Sequence, residues 1–312
     1  MRYPRVVALG GGHGLSASLS ALRLVVEEIT AVVTVADDGG SSGRLRDEFG
    51  VLPPGDLRMA LAALCDDSEW GHVWADVLQH RFVGDGQLSG HALGNLLIVA
   101  LWQQHQDPVR GLDLVGRLLN ARGRVLPMAA VPLEIRATVA GADPAAPDAV
   151  TEVRGQVQVA RTKGKVVSIS IDPPQPPACD ESVAALHAAD WVVLGPGSWF
   201  TSVVPHLLVP SLREALVETR ARRLLALNLE LDTAETTGFT AARHLEVIAE
   251  HAPELRIDVV LVDPSVVDDE ASLRDAARAL GAELVISQVA QAGHPGTHDP
   301  LRLAAAFRDI LG

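Results

Sequence analysis

Short apolar runs and helix-spaced stretches alternate along this chain. Residues 5–9 are apolar and end in Gly10, Gly11 and Gly12; the next segment, 15–28, carries Leu19, Leu22 and Val26 at helical spacing. Further strands are predicted at 30–36, 190–194, 224–227, 257–262 and 283–286, with helices at 212–222, 241–251 and 271–280. Several of the strand runs are apolar throughout rather than alternating, which suits strands covered on both faces. Alternating β and α units imply a Rossmann-like, doubly wound, mostly parallel α/β sheet with right-handed crossovers. Two stretches break the alternation. Residues 53–105 read as mostly helical. Residues 125–171 carry strand-like runs at 133–139, 156–160 and 166–171, separated by Gly/Pro/Asp-rich turns, and read as a small antiparallel β excursion. The expectation is one α/β nucleotide-binding domain over 1–312 containing both.

Glycines, hydroxyls and acids collect where the predicted strands end, which is where open α/β sheets place ligands. After the first strand, Gly11, Gly12, His13, Gly14, Leu15 and Ser16 open a helix, and from Gly12 onward the spacing matches G-x-G-x-x-A. That turn aims free helix amides at a phosphate. His13 reads either as a packing residue or as a ligand contact. After the second strand come Asp37, Asp38, Gly39, Gly40, Ser41, Ser42 and Arg44. Glycines permit close backbone approach, the serines offer hydroxyls and the arginine a forked cation, while the carboxylates suit a sugar hydroxyl or a divalent metal. Asp56 reads as the cap of the helix after a Pro-Pro-Gly turn, and Arg58 as a cation at an end already made positive by the helix dipole, which makes sense beside an anion. His91 and Asn95, four apart, suit contacts to a base or sugar, or a satisfied buried pair. Gly195, Pro196, Gly197, Ser198, Thr201 and Ser202 form a second hydroxyl-lined loop after a strand. It lacks the G-x-S-x-G elbow, so Ser198 is read as a phosphate contact rather than a nucleophile. Trp199 reads as a stacking ring or a core aromatic. Asn228 opens a loop, ending at Phe239, whose acids and threonines read either as contacts to a sugar or metal or as helix caps and solvated loop residues. The segment from His294 to Asp299 looks metal-like but lacks an acidic or Cys partner at a convincing spacing.

Composition narrows the classes. The chain has 312 residues, enough to bury about three quarters of its unfolded surface. Its net charge of −13 argues against a nucleic-acid groove, so an anionic ligand must be held by local donors. Two cysteines without metal-like spacing fit a reduced cytosol. No leader-like region or membrane-length apolar run is expected, which points to a cytoplasmic protein.

Taken together, the segments GGGHGLS, TVADDGGSSGRLR, LPPGDLR, HALGN and LGPGSWFTSVVPHLL resemble the gluconeogenesis-factor family, the YvcK-like branch of the CofD-type superfamily, in order and over nearly the whole chain. The resemblance implies a Rossmann-like fold and binding of UDP-sugars, notably UDP-N-acetylglucosamine. It also implies a regulatory role between central carbon metabolism and cell-wall synthesis and cell shape, with no secure enzymatic reaction. Protein partners in cell-wall synthesis and a homo-oligomer would fit that role. The other branch holds 2-phospho-L-lactate transferases, which use Mg²⁺ and a nucleotide-activated donor; on that alternative Asp37 and Asp38 hold Mg²⁺ together with the bound nucleotide. A third reading is an NAD-binding oxidoreductase. Three departures stand out: His13 where relatives usually carry Thr, Met59 where they carry Asn, and a segment from Leu231 to Thr236 that keeps Glu235 and Thr236 of a Thr-Gln-Pro-Gly-Glu-Thr pattern but lacks its Pro-Gly turn.

Overall fold

Unbroken burial defines the central strands: every residue of Trp191–Leu194 and of Val259–Val262 is buried, so both faces of the sheet are covered. The computed structural model describes residues 3–142 and 149–312. In chain order the strands are β1 (Arg5–Gly10), β2 (Glu28–Val33), β3 (Arg124–Pro127), β4 (Glu134–Ala140), β5 (Val150–Arg154), β6 (Lys165–Asp172), β7 (Trp191–Leu194), β8 (Arg222–Ala226), β9 (Val259–Val262), β10 (Glu283–Ile286), β11 (Ala290–Gln291) and β12 (His294–His298). The helices are α1 (Gly12–Leu22), α2 (Gly40–Phe49), α3 (Gly55–Ala63), α4 (Glu69–Gln79), α5 (Leu93–His105), α6 (Pro108–Leu118), α7 (Gln156–Ala160), α8 (Asp180–Ala188), α9 (Pro205–Leu208), α10 (Pro210–Glu218), α11 (Ala241–His251), α12 (Glu270–Leu280) and α13 (Pro300–Leu311). Seven strands form one sheet in the order β10-β9-β8-β7-β1-β2-β3, every neighbouring pair parallel. The α/β, doubly wound architecture is the one the sequence predicts. Among the described residues no helix is long and apolar enough to cross a membrane.

Several boundaries differ from the sequence reading, each for a local reason. The helix expected over 15–28 stops at Leu22, because β-branched Val25, Val26, Ile29 and Thr30 favour extended backbone and Glu28 already pairs with Arg5 of β1. Likewise the helix expected to reach 222 ends at Glu218, and Arg222 begins β8. Residues 124–127 belong to the main sheet, as an edge strand beside β2, so the antiparallel sheet β5-β4-β6 spans only Glu134–Asp172. Within it, residues 156–160 form α7 rather than a strand. Gly155 turns the chain at φ +87°, and the Val157 amide meets the Asp38 carboxylate, so tertiary contacts outweigh the alternating pattern.

Candidate functional site

Strand order reverses between β1 and β7: one arm of the sheet runs β1-β2-β3 and the other β7-β8-β9-β10. At such a switch point the loops leaving the two central strands diverge and open a crevice at their carboxyl ends. Leu9 and Leu194 are register partners, so the loops at Gly11–Gly14 and Gly195–Ser198 begin side by side. They touch so closely that Gly14 has no room for a side chain. A Cβ there would lie 2.3 Å from the Pro196 carbonyl oxygen and 2.6 Å from Gly197 Cα. Ser18 of α1 fastens the contact by donating its hydroxyl to the Gly195 carbonyl at 3.0 Å. Helix α1 starts without a side-chain cap from Gly11; its Gly12 amide faces the Asp56 carboxyl, and the amides of His13 and Gly14 are the ones left for an anion.

The loop after β7 is braced from the next strand. Asn228, just beyond β8, accepts the Gly197 amide and donates to the Gly197 carbonyl, both at 2.7 Å. Glu235 Oε1 accepts the Ser198 hydroxyl at 2.6 Å and the Trp199 amide at 2.7 Å; Ser198 also bonds to Thr201. Trp199 is fully buried and packs edge-on against His244, with ring centroids 4.8 Å apart, so it is a core aromatic and not a stacking platform. Thr201 and Ser202 are buried as well, on a π-helical turn from Trp199 to Val203.

The loop after β2 has a different character. Helix α2 begins at Gly40, so Ser41, Ser42 and Arg44 stand on a helix rather than in a long loop. Asp37 Oδ1 accepts the Gly39 amide at 2.9 Å, and Ser42 Oγ accepts the Gly55 amide at 2.7 Å. Ser41 Oγ is a hub: His91 Nδ1 and Asn95 Nδ2 each lie 3.0 Å away, and the Ala92 amide approaches at 3.3 Å. His91 lies ahead of α5 and not on its face as the spacing suggests; it meets Asn95 through Ser41. Arg58, buried, donates from Nε to Asn95 Oδ1 at 2.9 Å. Asp56 does not cap α3, whose cap position is Pro54; its buried carboxyl faces the Gly12 amide across the gap between α3 and α1, and its Oδ2 has no partner among the described residues.

Burial dominates the titration of this cluster. It pushes Asp56 up to about 7, helped by the charge of Asp37, and it raises Asp37 too. It also lowers Arg58 to about 10, with Arg81 adding to the effect, which leaves a cation at neutral pH. Burial first, and then the charge of Arg44, hold His91 toward its neutral form.

A cleft of about 540 Å³ opens along the switch point. His13, Gly14, Pro196, Gly197, Ser198 and Asn228 line it, as the sequence predicts for loop contacts. Glu230 and Glu235, from the loop whose acids the sequence offers to a sugar or metal, also line it, as does His298 from the metal-like segment near the C-terminus. His298 arrives on the β11–β12 hairpin, whose start is pinned by Asp263 Oδ2 accepting the amides of Val289 and Ala290 at 2.7 and 2.8 Å. No Lys or Arg is among the described lining residues. Arg44 is outside the cleft: its guanidinium donates to the carbonyls of Ser89 at 2.8 Å and Gln87 at 3.4 Å. A larger hollow of about 680 Å³ lies beside the start of β3, between α6 and Glu181, at the opposite strand ends from the glycine loops.

The family model for the 2-phospho-L-lactate transferase CofD matches residues 6–297. Over 308 residues the chain is 54% identical to a Mycobacterium tuberculosis protein named as a gluconeogenesis factor, covering 98% of this chain and 90% of that one. This chain belongs to the gluconeogenesis-factor family of the CofD-type superfamily. The Bacillus subtilis gluconeogenesis factor is 32% identical, with 99% of this chain and 98% of that protein covered. A crystal structure of a UPF0052 family member from Bacillus halodurans matches the fold with a TM-score of 0.87 at 33% identity, covering 98% of this chain and 99% of that one.

The transferase branch of this superfamily raises the fit of Mg²⁺ to Asp37 and Asp38. A Mg²⁺ site built on protein and phosphate oxygens needs carboxylates converging on one point. These two diverge. Asp37 Oδ1 turns to the Gly39 amide, whereas Asp38 Oδ1 accepts the Val157 amide at 3.0 Å and Gly155 packs against Oδ2 so tightly that a Cβ there would sit 2.0 Å away. Asp38 ties α7 to the loop after β2. The pair does not fit a shared metal ion.

Proposed function

We propose that this protein is a nucleotide-sugar-binding regulator that takes a UDP-N-acetylglucosamine-type ligand at the switch point and couples carbon metabolism to cell-wall synthesis and cell shape. One observation carries the binding half: two glycine loops from β1 and β7 abut at Gly14 and Pro196, beside the start of α1 and a cleft whose lining joins Ser198 and Asn228 to the acids Glu230 and Glu235. That environment suits a diphosphate held by main-chain N–H groups, with sugar or base contacts from Asn228, His13 and the β8 loop. The regulatory half rests on the gluconeogenesis-factor relatives. A phospholactate-type transferase is the second reading, favoured by the name of the matching family model and disfavoured by the divergence of Asp37 and Asp38.

A thermal-shift panel tests both. UDP-N-acetylglucosamine, GDP, NAD and a deazaflavin are compared with and without Mg²⁺. A ligand present at about one hundred times its Kd stabilises by about 2.7 kcal/mol. UDP-N-acetylglucosamine is expected to give the largest rise in Tm, with little added by Mg²⁺. A larger rise with NAD would install the dinucleotide reading, and a Mg²⁺-dependent rise with GDP or deazaflavin would install the transferase.

A further inference from the structure

Glu235 leaves the chain after β8, yet its carboxyl lies beneath the loop that follows β7. Oε1 accepts two donors of that loop, the Ser198 hydroxyl and the Trp199 amide. The residue is 4% exposed, and Oε2 is buried with no hydrogen-bond partner among the described residues. An ionised carboxylate in such a place needs a cation or several donors. The Ser198 and Trp199 donors both fall on Oε1, and the described residues lining the cleft include no Lys or Arg. His13 faces the cleft from α1, Glu230 from the same loop as Glu235, and His298 from the β11–β12 hairpin; His244 stands behind Trp199. Burial holds both His244 and His298 toward the neutral form. Burial also raises the Glu235 carboxyl above the ordinary range, against the opposing hydrogen bonds from Ser198 and the Trp199 and Phe200 amides. A ligand phosphate entering between the glycine loops would add a second negative charge beside the first.

We propose that Glu235 is a positioning residue for a bound diphosphate: its carboxyl fixes the Gly-Pro-Gly-Ser loop through Oε1, and diphosphate binding draws a solvent proton onto Oε2, so that it is the neutral acid while ligand is bound. This rests on the diphosphate part of the proposed function. The step is one proton transfer: an O–H bond forms on Oε2 as hydronium or a buffer acid gives up its proton and becomes water or the conjugate base, and it reverses when ligand leaves. The alternative is a merely structural brace, whose protonation is indifferent to ligand.

Calorimetric titration of the full chain separates the two. The probes are UDP-N-acetylglucosamine and NAD, both diphosphate diesters whose phosphates keep their charge near neutrality. Each is titrated from about pH 6 to about pH 8.5, in two buffers of different ionisation enthalpy, so that proton uptake is read directly. The native protein is expected to take up protons and to lose affinity with rising pH, by up to about tenfold per unit above the Glu235 titration. Glu235→Gln keeps the acceptor and carries no charge, so it should bind with a flatter pH profile and match the native low-pH affinity. Glu235→Ala loses the brace and should bind at least several-fold more weakly at every pH. A slope from any other group of the cleft survives in Glu235→Gln; the difference between the two proteins is therefore the readout. Equal slopes and equal proton uptake in both would overturn the proposal. If NAD binds with the Glu235-dependent slope while UDP-N-acetylglucosamine fails to bind, the nucleotide-sugar reading falls and this one stands. Binding of neither probe overturns both.

Discussion

Two clusters of glycine, serine and acid stand at adjacent strand ends, and they have opposite fates. Around the β1 and β7 loops the polar groups brace backbone against backbone and leave a cleft open between them. Around the β2 loop, helices α2, α3 and α5 close over the polar groups: Ser41, Asn95 and Arg58 bond to one another in the interior, Ser42 accepts the Gly55 amide, and Asp56 is buried beside them. A loop at a strand's carboxyl end is therefore a candidate site only where the topology keeps it uncovered. The switch point does that for β1 and β7; one strand further out, the helices between β2 and β3 cover what the loop offers.

Removing the centre of the buried cluster should have the largest effect. Arg58→Met deletes the cation near Asp37 and Asp56 and leaves Asn95 Oδ1 unpaired. Loss of one member of a buried charged network typically costs about 3–5 kcal/mol. Urea melts should show that loss, larger at pH 8 than at pH 6 because Asp56, held near 7, ionises between them. A change below about 0.5 kcal/mol would mean that the β2 cluster is not the structural knot described.

Gly14→Ala attacks the open cluster instead. The new methyl would collide with backbone of the Pro196–Gly197 segment, which cannot swing aside as a flexible side chain could. Overpacking of this kind costs about 1–3 kcal/mol, and the displaced loops should lose most of their ligand affinity. Unaltered binding in titration calorimetry would remove the loop contact from the site.

Much of this contrast was legible in the sequence, and the remainder was not for physical reasons. Glycine triplets after an apolar run, and Gly-Pro-Gly after another, mark close backbone approach through local chemistry alone. The ordering of strands that makes β1 and β7 neighbours is legible only as a fold class. Glu235 and His298 were legible only as members of an acid- and threonine-rich loop and of a metal-like segment; which of those residues face the cleft depends on how the fold delivers the β8 loop and the last hairpin, and nothing local marks an acid destined to sit under another strand's loop. The retained Glu235-Thr236 pair in an altered segment was the available signal. Asp56 was misassigned as a cap because Asp after Pro-Pro-Gly is common at helix starts, and only the packing of α3 on α1 turns it toward Gly12.

A pH dependence should follow from Asp56. Its folded-state value near 7 lies above the ordinary 3.8, so the folded state holds the proton more tightly than the unfolded chain. The associated stability is full below about pH 4 and is lost as pH rises toward and through 7. A change amounting to roughly 4 kcal/mol across that window, absent in Asp56→Asn, is the expected result of melts taken at several pH values. Parallel pH profiles for the two proteins would place the titrating group elsewhere.

The smallest expected effect is at Arg44, and it sharpens the boundary between the two clusters. From sequence, Arg44 looked like the forked cation that would reach a diphosphate beside Gly12 and Gly14. In the fold its guanidinium instead holds the carbonyls of Gln87 and Ser89 on an exposed turn, clear of the cleft. Arg44→Ala should therefore cost no more than about 0.5 kcal/mol of apo stability, as exposed contacts usually do. Its effect on UDP-N-acetylglucosamine affinity should stay below about threefold, whereas a lost hydrogen bond to a charged group costs about 1.5–3 kcal/mol. A loss of the second size would mean that the turn at 84–90 releases Arg44 when ligand enters, so that the β2 cluster supplies the cation the cleft lacks. Protection of the amides of that turn from hydrogen exchange, with and without ligand, would then distinguish a released arginine from one that never moves.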